Sequence, residues 1–198
     1  MLLGPLPPGE KWRNFELKAI ALRDFARVRP DLSLNPFVLA QFANLLVVDF
    51  DKLVGLSENA RQHLLGPASE CWSGGACTLP NGMKLVILNP NHGPQRTKAT
   101  LMEEICHVFL AHQPNRLSVV TKDERGKVMN RDYRKADEEE AYGVGAAALV
   151  PYATLKRMLL QGKSSREVGL HFRVSRDLVE YRMKVTHLWR EFRHLAVE

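Results

Sequence analysis

Apolar residues at helical spacing open the chain. Trp12, Phe15, Ala19, Leu22, Phe25 and Ala26 predict a helix from Trp12 to Val28, stopped before Pro30. Asn35 can cap a second helix that begins at Pro36 and carries Phe37, Leu39, Ala40 and Phe42 towards Leu46. A looser helical pattern covers Asp51 to Leu65. The pattern then changes. Lys84-Leu-Val-Ile-Leu88 reads as a strand, and Pro80-Asn81-Gly82 predicts a turn joining it to the small-residue-rich stretch from Trp72 to Thr78. Helical spacing returns between Thr100 and His112, where Leu101, Ile105, Val108, Phe109 and Leu110 supply an apolar surface.

Gln113-Pro114 ends that helix, and Leu117–Thr121 and Val128–Tyr133 flank Asp123-Glu-Arg-Gly126 as a second hairpin. Ala136 to Pro151 follows as a helix with an acidic head, suited to the positive end of its dipole. Its body is small: Gly143, Gly145, Ala146 and Ala147 let another helix come close, at some loss of helix propensity. Ser164 to Met183 has the pattern of a helix-turn-helix. Val168 and Phe172 are buried on its first helix, Val174 sits in the turn, and Ser175 caps a second helix burying Leu178, Val179, Tyr181 and Met183. The elements add up to an α+β fold, helices with a small antiparallel sheet.

Chemistry concentrates on the central helix. Glu103 and Glu104 interrupt its apolar run, and His107 follows four and three positions on. Residues four apart share a helix face, so Glu103 and His107 can hold one metal ion between them. Glu104, about a hundred degrees round the helix, can address a water on that ion. By itself such a pair also fits a surface ion pair. A carboxylate of the acidic Glu138-Glu139-Glu140 run can reach the same ion if the two helices pack.

Composition adds limits. The 198 residues suit one domain, or one with a small appendage, and 45% hydrophobic with 25% charged residues is ordinary for a soluble globular chain. No apolar run approaches the roughly 20 residues that span a bilayer. The first residues lack a signal peptide's basic start and long apolar core. Cys71, Cys77 and Cys106 form no Cys-x-x-Cys pair, which points to reduced thiols in a cytoplasm. The net charge of +6 permits an acidic partner without demanding one. Arg173, Arg176, Arg182 and Lys184 give the helix-turn-helix segment a basic surface, so it is expected either to contact DNA or to pack beside the catalytic part. Base-reading Asn and Gln are absent from its second helix.

In order and spacing, these pieces resemble the ImmA/IrrE family of bacterial zinc-dependent peptidases. Typical members have an R-x-R-F-T-L-A-H-E-x-G-H helix after a strand ending in Asn, then a Glu-Ala helix ending in L-L-M-P, then a helix-turn-helix-like segment. The corresponding letters are Leu85-Val-Ile-Leu-Asn89, Arg96 to His107, Glu140-Ala141 with Ala147-Ala-Leu-Val-Pro151, and Val168 to Met183. The first metal-binding His is replaced, giving E-E-x-x-H in place of H-E-x-x-H.

The resemblance implies a zincin-like core over 69–160, with a helical part at 1–68 before it and a helix-turn-helix-like segment at 161–198 after it. It implies Glu104 as general base and Glu103, His107 and Glu140 as ligands, with Glu138 and Glu139 close in sequence to the third. His112 is another possible ligand if the helix ends early and returns its imidazole, because five residues is the wrong spacing for one helical face. The implied metal is zinc. Two carboxylates and one imidazole neutralise a divalent ion, make its water less acidic, and accept manganese or iron better than a two-histidine site. The implied substrate is a helix-turn-helix repressor of stress or mobile-element genes. The alternative is a catalytically degenerate scaffold that binds a partner protein, or DNA through Ser164 to Lys184.

Overall fold

A computed structural model describes residues 4–79, 81–112, 121–122, 128–129 and 135–196. The first helix, α1 (Glu10–Phe25), follows the predicted spacing and buries Phe15, Ala19 and Leu22. The second, α2 (Pro36–Phe42), is capped by the Asn35 side chain, which accepts from the Phe37 N–H at 3.1 Å. It does not continue to Leu46. Asn44 takes a left-handed backbone (φ 52°) and releases the chain into strand β1 (Leu45–Val48). The expected helix from Asp51 to Leu65 is also split. A single tight turn at Phe50–Lys52 precedes α3 (Glu58–Leu65), which Ser57 caps by accepting from the Ala60 N–H.

Strands β2 (Gly74–Thr78) and β3 (Lys84–Leu88) form the predicted antiparallel hairpin, and Gly82 supplies the positive φ (83°) that its turn requires. β1 joins the other side of β3 in parallel, giving a mixed sheet of order β1-β3-β2. The sequence did not reveal β1, so the sheet is mixed where an antiparallel one was expected. The α+β architecture stands.

The central helix, α4 (Pro94–Phe109), buries Leu101, Met102, Ile105 and Cys106. β4 (Thr121–Lys122) pairs antiparallel with β5 (Val128–Met129), where the second hairpin was expected. The rest of that segment, including Leu117 and Tyr133, lies outside the described residues. Helix α5 (Lys135–Leu149) then packs against both α1 and α4. A helix the sequence reading missed, α6 (Tyr152–Leu160), starts directly after Pro151.

Helices α7 (Ser165–Phe172) and α8 (Arg176–Val185) occupy the positions predicted for the helix-turn-helix segment. Ser164 and Glu167 form a reciprocal capping box, Val174 is buried in the turn, and Ser175 caps α8. A short helix, α9 (Trp189–Phe192), follows. Buried side chains from all three chain segments form one cluster reaching from Phe15 to Phe192. Among the described residues, no helix is long and apolar enough to cross a membrane.

Candidate metal centre

The apolar face of α4 settles onto the core and leaves Glu103 and His107, one turn apart, directed at α5. Helix α5 presents Glu138 to them. Among the described residues, Glu103, His107 and Glu138 each offer a donor atom, and those atoms all lie within 4.8 Å of one another. His107 Nε2 is 3.3 Å from Glu138 Oε2, and all three side chains are half-buried.

Glu140, expected as the third ligand from the Glu-Ala match, points elsewhere. Two residues beyond Glu138 it is turned about 200° round the helix. One of its oxygens pairs with Lys18 of α1, and the other lies 3.2 Å from His112 Nε2. Glu139 pairs with Lys11, also on α1. Helical phase therefore selects Glu138 from the acidic run, and the choice depends on how α5 lies against α4.

His112 returns to the site by a route that helix spacing does not supply. α4 ends at Phe109, and Ala111 adopts a left-handed backbone (φ 55°). The His112 N–H then donates to the His107 carbonyl at 3.0 Å, and its ring folds back until the two Nδ1 atoms are 3.0 Å apart. His112 thus touches His107 without joining the three-residue group. Cys106 is fully buried, and burial pushes its thiol well above the usual range, in keeping with a core residue.

Burial and like charges disfavour the ionised form of the carboxyls on α4. Burial, reinforced by the charges of Glu138 and Glu104, pushes the Glu103 carboxyl up to about 7. Burial and Glu138 push Glu104 up to about 7 as well, with Lys84 opposing. Burial lowers the His107 imidazole, against the pull of Glu138, and so favours its neutral, ligating form. Two carboxylates and an imidazole are a fitting donor set for a divalent ion. For Glu140, burial is outweighed by hydrogen bonds from Lys18 and His112, which hold it below the ordinary carboxylate range.

Glu103 also lines a cleft of about 510 Å³, together with Ser73, Arg96, Thr100, Tyr142 and Asp177. Arg96 donates to Ser73 Oγ at 3.1 Å, which ties α4 to the start of β2. Ser175, Asp177 and Leu178 bring the first turn of α8 into the cleft wall. The helix-turn-helix-like pair is thus part of the enclosure. Sequence reasoning missed Tyr142 and Asp177, although Tyr142 lies four residues beyond Glu138 and so shares its face of α5.

Carboxylates and an imidazole converging from two packed helices, with a further carboxyl beside them, fit a divalent metal site. The family model described as the IrrE N-terminal-like peptidase domain matches residues 70–184, which takes in α4, α5 and the α7–α8 pair. That is more than half of the chain, and the chain belongs to this family. No curated protein matches it.

Proposed function

We propose that this chain is a metal-dependent endopeptidase whose ion is held by Glu103, His107 and Glu138, with Glu104 as general base. The observation that carries the reading is the convergence of those three side chains within 4.8 Å. A bound divalent ion supplies Lewis acidity to a water and to a peptide carbonyl. Glu104, with its pKa raised to about 7 and set beside Glu138, is matched to taking a proton from the attacking water and returning it to the departing amine near neutral pH. β2 is an edge strand, so an extended substrate segment can add to it by main-chain hydrogen bonds. Family resemblance makes the substrate a helix-turn-helix repressor of stress or mobile-element genes, met in the cytoplasm. It makes the metal zinc, while the two carboxylates also suit manganese or iron.

The test is elemental analysis of protein purified without chelator, for wild type and for Glu103→Ala, His107→Ala and Glu138→Ala. Near-stoichiometric metal in the wild type, lost in all three variants, supports the centre. No metal even after reconstitution refutes the enzyme reading.

A second reading is a degenerate peptidase scaffold that binds a partner without cutting it. Glu103 favours it, because a second carboxylate neutralises the ion and leaves its water less acidic. The partner is then a protein, or DNA met through residues 164–184, where Arg166, Arg173, Arg176 and Lys184 are exposed; Arg182, expected on that surface, is instead fully buried on Glu16. Metal binding without cleavage of any repressor from the same operon selects this reading.

A further inference from the structure

We propose that His112, Glu140 and Lys18 form a positioning chain that holds the His107 imidazole with its Nδ1–H turned away from the metal centre and its Nε2 lone pair turned into it. The inference rests on the metal-centre reading above and adds three residues to it, none of them a ligand. Lys18 pairs with Glu140 Oε1, and Glu140 Oε2 lies 3.2 Å from His112 Nε2. A carboxylate only accepts, so the hydrogen of this bond belongs to His112 Nε2. A neutral His112 then carries its lone pair on Nδ1, 3.0 Å from His107 Nδ1. With a metal ion on Nε2, a neutral His107 keeps its hydrogen on Nδ1 and donates it there; without an ion, Nε2 donates to Glu138 instead.

That nitrogen faces Glu138 Oε2 at 3.3 Å, with a Glu103 oxygen in the same group. The opposite order of hydrogens sets the His112 lone pair against the Glu140 carboxylate, an unfavourable contact. Ligating histidines usually donate their second N–H to a carboxylate or carbonyl, which fixes the tautomer and raises basicity. Here a second imidazole stands between ligand and carboxylate. It fits because the left-handed Ala111 folds His112 back, and its side chain is locked in place at 8% exposure. Lys18 lies outside the segment that matches the family model, so the chain anchors the centre to a helix the match does not include.

The test measures zinc affinity by competition with a chromophoric chelator. It also reads the His107 ring nitrogens in zinc-loaded protein from long-range proton–nitrogen correlation spectra. His112→Ala is expected to weaken zinc binding about 10–100-fold and to open the His107 Nδ1–H to exchange with water. His112→Gln, whose amide oxygen can accept the same hydrogen, restores most of the affinity. Glu139→Gln removes only the neighbouring pair to Lys11 and leaves affinity unchanged. Wild-type affinity in His112→Ala, an equal loss in Glu139→Gln, or a zinc-loaded wild type whose His107 binds through Nδ1 each overturn the positioning chain. A wild type that binds no zinc overturns the metal-centre reading instead.

Discussion

Arg182 is fully buried with its guanidinium on the Glu16 carboxylate, so α8 is fastened to α1 across most of the chain. The other Glu16 oxygen accepts from the Tyr152 N–H at 2.7 Å, and Arg182 Nε donates to the Val150 carbonyl at 3.1 Å. Four groups thus clamp the junction between α5 and α6, the far end of the helix that supplies Glu138. Arg182→Met strands a buried carboxylate and is expected to cost about 3–5 kcal/mol in urea unfolding. Glu16→Leu combined with Arg182→Met is expected to recover part of that loss. Recovery stays incomplete because the Tyr152 N–H and Val150 carbonyl lose partners at about 1–3 kcal/mol each. A loss below about 1 kcal/mol in Arg182→Met means the clamp is not structural.

Two glycines of α5 face different helices and should respond oppositely to the same change. A Cβ on Gly143 would lie 2.5 Å from the buried Phe15 ring of α1, with Trp12 behind it. One on Gly145 meets Met102 and Cys106 of α4 at 3.5 Å, an ordinary contact. Gly143→Ala is therefore expected to destabilise by about 1–3 kcal/mol through overpacking. Gly145→Ala is expected to be neutral, or to stabilise by up to about 1 kcal/mol through helix propensity. Denaturant midpoints for the pair settle it, and equal effects contradict the packing described.

Glu104 and Glu103 are neighbours in sequence with separate tasks. Only Glu103 belongs to the three-residue group, while Glu104 lies within reach of the charges of Glu138 and Lys84. Glu104→Gln is expected to keep its metal, because no ligand is lost. Peptide cleavage should fall about 10²–10⁴-fold, the usual worth of a general base. Glu103→Gln should lose metal and cleavage together. Metal lost from Glu104→Gln instead makes that residue a ligand.

What the sequence made legible is whatever neighbours along the chain decide. The i,i+4 spacing placed Glu103 and His107 together, the Asn81-Gly82 turn placed the β2–β3 hairpin, and Ser164 and Ser175 placed the starts of α7 and α8. What it hid depends on partners distant in sequence. Leu45–Val48 is a strand because β3 accepts it in parallel, and nothing local separates that apolar run from the end of a helix. Glu138 and Glu140 are equally acidic, and only the seating of α5 on α4 and α1 sends one to His107 and the other to Lys18. His112 reaches His107 through a left-handed Ala111, a backbone state that alanine gives no reason to expect.

The raised carboxyls make stability depend on pH in a direction opposite to an ordinary ion-paired acid. Glu103 and Glu104 sit at about 7 in the folded protein against 4.5 for a free side chain, so the folded state binds more protons between those values. Unfolding free energy then falls as pH rises through that window, by up to about 3 kcal/mol per carboxyl as a ceiling. His107, lowered by burial, acts in the other direction, gaining stability as pH rises towards 6.5 and nothing beyond it. The clearest interval is therefore about pH 6.5 to 7.5, above His107 and below Lys98, which burial lowers to about 8 and which acts in the opposite direction to the carboxyls. Chelator-treated protein should lose melting temperature across it, and Glu103→Gln should lose less. Zinc should flatten or reverse the trend, since binding requires ionised carboxylates and strengthens as protons leave. Chelated protein that grows more stable from about pH 6.5 to 7.5 contradicts a crowded, uncompensated set of carboxyls.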